Sequence, residues 1–163
     1  MNRHNDTSSL DNATAYIMLR ASRLLRFHLD KVLERAGVPI SPEQWFILFK
    51  LWENPGLPQN ALTDPVLNDE PNIARLVRSL MHHGYVERVV DETDRRRKLV
   101  SLTEKGEALM QHMFPIVVET REQVFGGIPA DELERFVELL HRVEENVIAD
   151  LERDEHDKPV ETQ

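Results

Sequence analysis

Residues 68–102 read NDEPNIARLVRSLMHHGYVERVVDETDRRRKLVSL, and within them the apolar pattern passes from the period of a helix to that of strands. Its first half places Ile73, Leu76, Val77, Leu80 and Met81 at the i, i+3, i+4, i+7, i+8 spacing of one helix face. Arg75, Arg78 and Ser79 fall between these positions and point away from that stripe. Asn68 and Asp69 are good N-caps, and Pro71 stands where a first-turn proline costs no hydrogen bond. Gly84 supplies a left-handed residue that stops the helix. The second half changes period. Tyr85–Val90 and Lys98–Leu102 are short and rich in β-branched residues, as strands are. Between them DETDRRR leads into four consecutive bases, Arg95, Arg96, Arg97 and Lys98.

A helix followed at once by a hairpin with a basic tip is the plan of a winged helix. Such a helix fits a DNA major groove while the tip reaches an adjacent minor groove. The pieces Arg75–Leu80–Gly84–Tyr85–Val86, then Asp94–Arg95–Arg96, then Leu102–Thr103–Glu104–Lys105–Gly106 together resemble the MarR family of bacterial transcription regulators. Their order and spacing are more specific than any one of them, and the likeness runs roughly from Asp11 to Leu151. The resemblance implies a mostly α fold with a small antiparallel β-hairpin wing, a winged helix-turn-helix joined into a dimer through N- and C-terminal helices.

Working outward, residues 1–9 are polar and expected to be disordered. A long helix is expected from about Leu10 to Ala36, capped by Asp11 or Asn12, with Leu10, Ala13, Ile17, Leu24, Leu25, His28 and Val32 along a broad stripe. Gly37 and Pro39 end it. Ser41 and Gln44 have capping-box spacing, with Pro42 at the first helical position. The helix they open, carrying Trp45, Phe46, Leu48, Phe49 and Trp52, is apolar on most sides and expected to be central. Asn54-Pro55-Gly56 is a turn. Pro58–Leu67 reads as a short, poor helix, because Pro65 stands where a MarR-like chain has a regular helical turn. Gln59 and Asn60 read equally well as a phosphate-facing cap or as a plain turn. Thr103 caps a helix to about Phe125 with Pro115 inside it, which predicts a kink. After Gly126-Gly127 and Pro129, a last helix starts at Ala130 or Asp131. It carries Leu133, Phe136, Val137, Leu140, Val143, Val147 and Leu151 at helical spacing. The expected organisation is a winged DNA-binding lobe over 37–102, dimerisation helices over 10–36 and 103–153, and a flexible tail over 154–163. The flanking stripes are too broad for the short lobe to cover, so they are expected to pack on each other and on a second copy.

The chain has 163 residues, enough for one domain with a real core, and its 30% charged residues suit a helical protein with much surface. With no cysteine there is no disulfide or thiolate metal site. Apolar runs are too short to span a membrane, and the N-terminus lacks a secretory core, so a cytoplasmic protein is expected. The net charge of −9 argues against nucleic acid until it is divided along the chain. Residues 1–68 are neutral, residues 69–105 are at +1, and residues 106–163 carry fifteen acids against five bases. Local charge governs attraction to phosphate within a screening length of about 8 Å.

Asn72 and Arg75 lie near the start of the recognition helix, where Asn suits an adenine edge and Arg a guanine. The alternative is a solvated helix face. Arg78 suits a phosphate contact. Pro71 and Ala74 replace the Ser or Thr with which MarR-like chains often contact DNA, so base readout rests on Asn72 and Arg75. The resemblance also implies that in Asp94-Arg95-Arg96 the second arginine enters the minor groove and the aspartate steadies it. Arg97 completes the basic tip, and narrow A/T-rich grooves favour arginine. The DNA is expected to be a pseudo-palindromic operator read by a homodimer, with repression favoured over activation.

A ligand pocket between dimer helices and DNA-binding lobe is also implied. Arg20, Arg23, His28, Trp45 and Phe49 are its candidate lining, suited to a small aromatic or anionic ligand. The plainer reading makes the aromatics core and the arginines solvent-facing. His82 and His83 do not share a helix face, His112 and His141 stand on different helices, and no HExxH or close ligand set occurs, so no metal is expected. No phosphate loop, cysteine nucleophile or Ser-His-acid pattern points to an enzyme, and no cofactor is expected. The alternative from another class is a winged-helix protein-interaction module that no longer binds DNA.

Overall fold

The computed structural model describes residues 13–63, 70–91, 94–95 and 97–156. In chain order these form α1 (Thr14–Arg35), α2 (Pro42–Glu53), β1 (Leu57–Pro58), a 3-10 turn (Gln59–Leu62), α3 (Glu70–His82), β2 (Val86–Val90), β3 (Lys98–Leu102), α4 (Glu104–Phe125) and α5 (Ala130–His156). The chain divides into two compact units, 1–119 and 120–163, with the division inside α4. The architecture is mostly α with a small antiparallel sheet, as expected. Expectations for residues 1–9, Leu10, the caps Asp11 and Asn12, Pro65, the caps Asn68 and Asp69, Arg96 and residues 157–163 lie outside the described residues.

The first unit is built around a core to which every one of its helices contributes. Leu33 of α1, Leu48 and Leu51 of α2, Ile73, Val77 and Leu80 of α3, Val100 of β3, and Met110 and Met113 of α4 are all fully buried. The α2 capping box forms as its spacing requires: Ser41 Oγ accepts from Gln44 N at 3.3 Å, and Gln44 Oε1 accepts from Ser41 N at 2.8 Å. Trp45 is core, at 3% exposure, but Phe46 is 61% exposed, so α2 is central on one side only.

The apolar stripe of α3 holds except at its edge. Ile73, Leu76, Val77 and Leu80 are buried, whereas Met81 is 37% exposed. At about 100° per residue Met81 lies roughly 80° round the helix from Ile73, at the margin of the stripe. Gly84, at φ +74°, ends α3. Tyr85 N donates to Leu80 O at 3.0 Å and Gly84 N to Met81 O at 2.9 Å, which is the closure a left-handed C′ residue permits.

The sheet has three strands in the order β1-β3-β2, all antiparallel. The expected hairpin pairs Val86 with Leu102 and Val90 with Lys98. The third strand, pairing Leu57 with Val100 and Pro58 with Leu99, corrects a reading that stopped at two strands. Two residues are too few to show alternation, and Pro58 is tolerated because β1 is an edge. Of the segment expected as a poor helix over Pro58–Leu67, the described part, as far as Thr63, holds a 3-10 turn over Gln59–Leu62.

The end of α3 is fastened to the start of α4. Thr103 Oγ1 donates to Gly84 O at 2.6 Å and accepts from Gly106 N at 3.1 Å, capping α4. Thr103 N donates to Tyr85 O, and Lys105 Nζ donates to His83 O at 2.7 Å while lying over the Tyr85 ring. Gly106 makes this approach possible, since a Cβ there would lie 2.1 Å from Tyr85 O. Helix α4 runs on through Pro115.

In α1 only Val32 and Leu33 are buried, and Tyr16, Ile17, Leu19, Leu24, Leu25 and Phe27 are exposed. Helix α5 continues to His156, three residues past the expected helix end at Arg153. Its Phe136, Val143, Val147 and Leu151 recur along one face and are exposed, as are Val137, Leu139 and Ile148.

Candidate nucleic-acid interface

Helix α3 buries one face in the core and turns Arg75 and Arg78 outward, both exposed. Asn72 is half-buried at the flank of the same helix. Arg75 Nη2 donates to Asn72 Oδ1 at 2.8 Å, so these two predicted base-contacting residues touch one another. This i, i+3 contact follows from helical geometry.

The tip between β2 and β3 carries Asp94, Arg95, Arg97 and Lys98, all exposed. Asp91, 9% exposed at the end of β2, organises it. Asp91 N donates to Arg97 O at 3.1 Å, and Arg97 N donates to Asp94 O at 2.8 Å. The Asp91 carboxylate accepts from Asp94 N at 3.4 Å and lies 4.0 Å from Arg97 Nη1. Arg97 is thus held back towards the strand end, while Arg95 extends from the turn. Sequence reasoning assigned Asp91 no role. Its near-burial was the missing signal, and that depends on the fold of the loop. Arg88 of β2 was also missed. Its Nη2 donates to Gln59 Oε1 at 2.7 Å, tying the hairpin to the 3-10 turn across 29 residues. Pro58, Gln59, Asn60, Glu70, Arg97 and Lys98 contribute to the lining of a cavity of about 370 Å³ between that turn, α3 and the wing.

A second cavity, of about 560 Å³, opens where α1, α2 and α3 meet, and Arg26, Glu43, Gln44, Asn72, Arg75 and Ser79 are among its lining. Arg26 Nε lies 2.7 Å from Glu43 Oε1 and bridges α1 to α2. Burial pushes the Glu43 carboxyl up, but hydrogen bonds from Arg26, its own backbone and Ser41, with the Arg26 charge, outweigh this and hold it below the usual glutamate value. The hydrogen bond to Glu43 in turn raises Arg26.

The five candidate ligand residues are not gathered around either cavity. Arg20, Arg23 and His28 are exposed on α1. Trp45 is core, and Phe49, half-buried, stacks on Phe114 at 6.2 Å between centroids beside Trp52. Among the described residues no group of three His, Asp or Glu stands where it would hold a metal ion, and no helix is long and apolar enough to cross a membrane.

Comparison with known proteins places this geometry. The family model described as MarR family matches residues 40–98, from the end of the α1–α2 connection to the first residue of β3. A probable transcriptional regulator from Pseudomonas aeruginosa is 28% identical, with a TM-score of 0.70, over 83% of this chain and 99% of its own. A MarR transcriptional regulator from Methanosarcina mazei Go1 is 29% identical, with a TM-score of 0.68, over 83% of this chain and 96% of its own. CouR from Rhodococcus jostii RHA1, solved bound to p-coumaroyl-CoA, shares the fold at 24% identity and a TM-score of 0.76, over 83% of this chain and 94% of its own.

Proposed function

We propose that this chain, whose residues 40–98 match the MarR family model and whose fold is that of MarR transcription regulators, is a homodimeric, sequence-specific DNA-binding repressor whose hold on DNA is released by a small molecule. The observation that carries this reading is the pairing of two exposed basic features on one unit. The outer face of α3 presents Arg75 and Arg78, and the adjoining wing presents Arg95, Arg97 and Lys98. In this reading α3 enters the major groove, with Asn72 and Arg75 at base edges and Arg78 on phosphate. The wing follows the minor groove, with Arg96 as the residue that enters it and Asp94 as its steadying partner in this reading. Two subunits read half-sites about 10 bp apart.

The exposed apolar residues of α1 and of α5 are the surfaces that a second copy covers. An acidic segment over residues 106–163 keeps the rest of the molecule off the phosphates. For the ligand, CouR provides a precedent among proteins of this fold. Arg20, Arg23 and His28 are the exposed groups on α1 that suit an anionic one. Such a ligand shifts the protein only by its differential affinity for the DNA-free form.

The test is a titration of duplex DNA from upstream of the protein's own coding sequence, repeated across salt concentrations. Saturable binding with a steep salt slope, weakened in Arg96→Ala, is expected. No saturable binding at low salt would favour a winged-helix protein-interaction module.

A further inference from the structure

Asn72 and Arg75 look in sequence like two separate base readers, one for adenine and one for guanine. The structure joins them. Arg75 Nη2 donates to Asn72 Oδ1 at 2.8 Å, with Arg75 exposed and Asn72 half-buried one turn earlier on α3. An asparagine reading adenine needs its oxygen for the N6 amino group and its nitrogen for N7. Here the oxygen is already engaged by a cation, and the side chain stands nearer the protein than its neighbour. The arginine keeps its capacity, because Nη2 carries two hydrogens. One goes to Asn72, and the other with a hydrogen of Nη1 forms the end-on fork that matches guanine O6 and N7.

We infer that Asn72 is a positioning residue that holds the Arg75 guanidinium in the attitude for guanine, so that this end of α3 specifies one G·C pair per half-site through a braced arginine. A free arginine side chain has many rotamers, and fixing it before DNA arrives removes an ordering cost from the specific complex. The inference rests on the DNA-binding reading above and refines it: Asn72 gives up a base edge of its own, and Arg75 alone reads the base at this end of α3.

The test is enrichment of sites from a randomised duplex library by the full-length protein and by Arg75→Ala, Asn72→Ala, Asn72→Asp and the Arg75→Ala/Asn72→Ala double variant, each checked for an unchanged folded fraction by circular dichroism. Wild-type protein should enrich a guanine in each half-site, and Arg75→Ala should lose that preference, roughly tenfold to a hundredfold. Asn72→Ala should relax the same position and no other, and the double variant should match Arg75→Ala. The decisive variant is Asn72→Asp. A carboxylate still accepts from the guanidinium but cannot donate to adenine N7. Guanine preference should therefore survive in Asn72→Asp while overall affinity falls. The inference is overturned if both Asn72 variants erase an adenine at a different position and leave the guanine untouched, or if single losses add in the double variant. If wild-type protein enriches nothing, the DNA-binding reading itself fails and takes the inference with it.

Discussion

At the scale of single residues, the tightest constraint is Gly106. A methyl group there would meet the Tyr85 carbonyl oxygen at 2.1 Å, and the listener on the other side is backbone, which has nowhere to rotate. Gly106→Ala should cost at least about 2 kcal/mol, read as a lowered midpoint in urea denaturation. Glu43 offers a pH test. Its carboxyl is held below the ordinary 4.5 in the folded chain, so its contribution is present above the unfolded value and is lost as pH falls through the folded one. Wild type should melt slightly above Glu43→Gln at neutral pH, and the gap should close as pH is taken below that ordinary value. The Ser41–Gln44 capping box was legible in sequence because both partners lie within one turn. The Arg88–Gln59 bond was not, because nothing local marks residues 29 apart as neighbours. The Asn72–Arg75 bond has a legible spacing, but an i, i+3 pair of polar residues reads equally well as two independent groups.

At the scale of elements, the α3 stripe separates what periodicity decides from what it leaves open. Leu80, fully buried, should cost about 2–5 kcal/mol when cut to alanine. Met81→Ala should cost well under half as much, because its side chain already meets water. Urea denaturation of the two variants checks the contrast. Strands β2 and β3 were legible from their β-branched runs, whereas β1 exists only through its pairing with Leu99 and Val100. The wing carries its own prediction. Arg95→Ala should reduce the slope of log affinity against log salt by about 1 if that arginine meets one phosphate, and Arg97→Ala should reduce it as well. Arg97 should give the smaller change, because Asp91 already draws it back.

At the scale of the whole molecule, the apolar residues along α1 and α5 were visible in sequence as stripes. What covers them was not, since a stripe specifies a partner's chemistry and not its identity. With Val143 and Val147 on the exposed face of α5, wild type should sediment as a dimer and the double variant Val143→Asp/Val147→Asp as the 19.0 kDa monomer. Its DNA affinity should fall sharply even though α3 and the wing are untouched, because one half-site is then read without the other. The charge distribution follows the same logic: the net −9 misleads until it is resolved into an acidic C-terminal third and a near-neutral remainder. The bonds from Thr103 and Lys105 to the backbone at 83–85 have one more consequence. They close the chain on itself at the base of the hairpin, so the twenty or so intervening positions behave as a cassette with a sealed neck. Changes in the tip above that neck should leave the folded fraction unchanged, so on the DNA-binding reading proposed above the groove preference of the wing can be altered apart from the helices on either side.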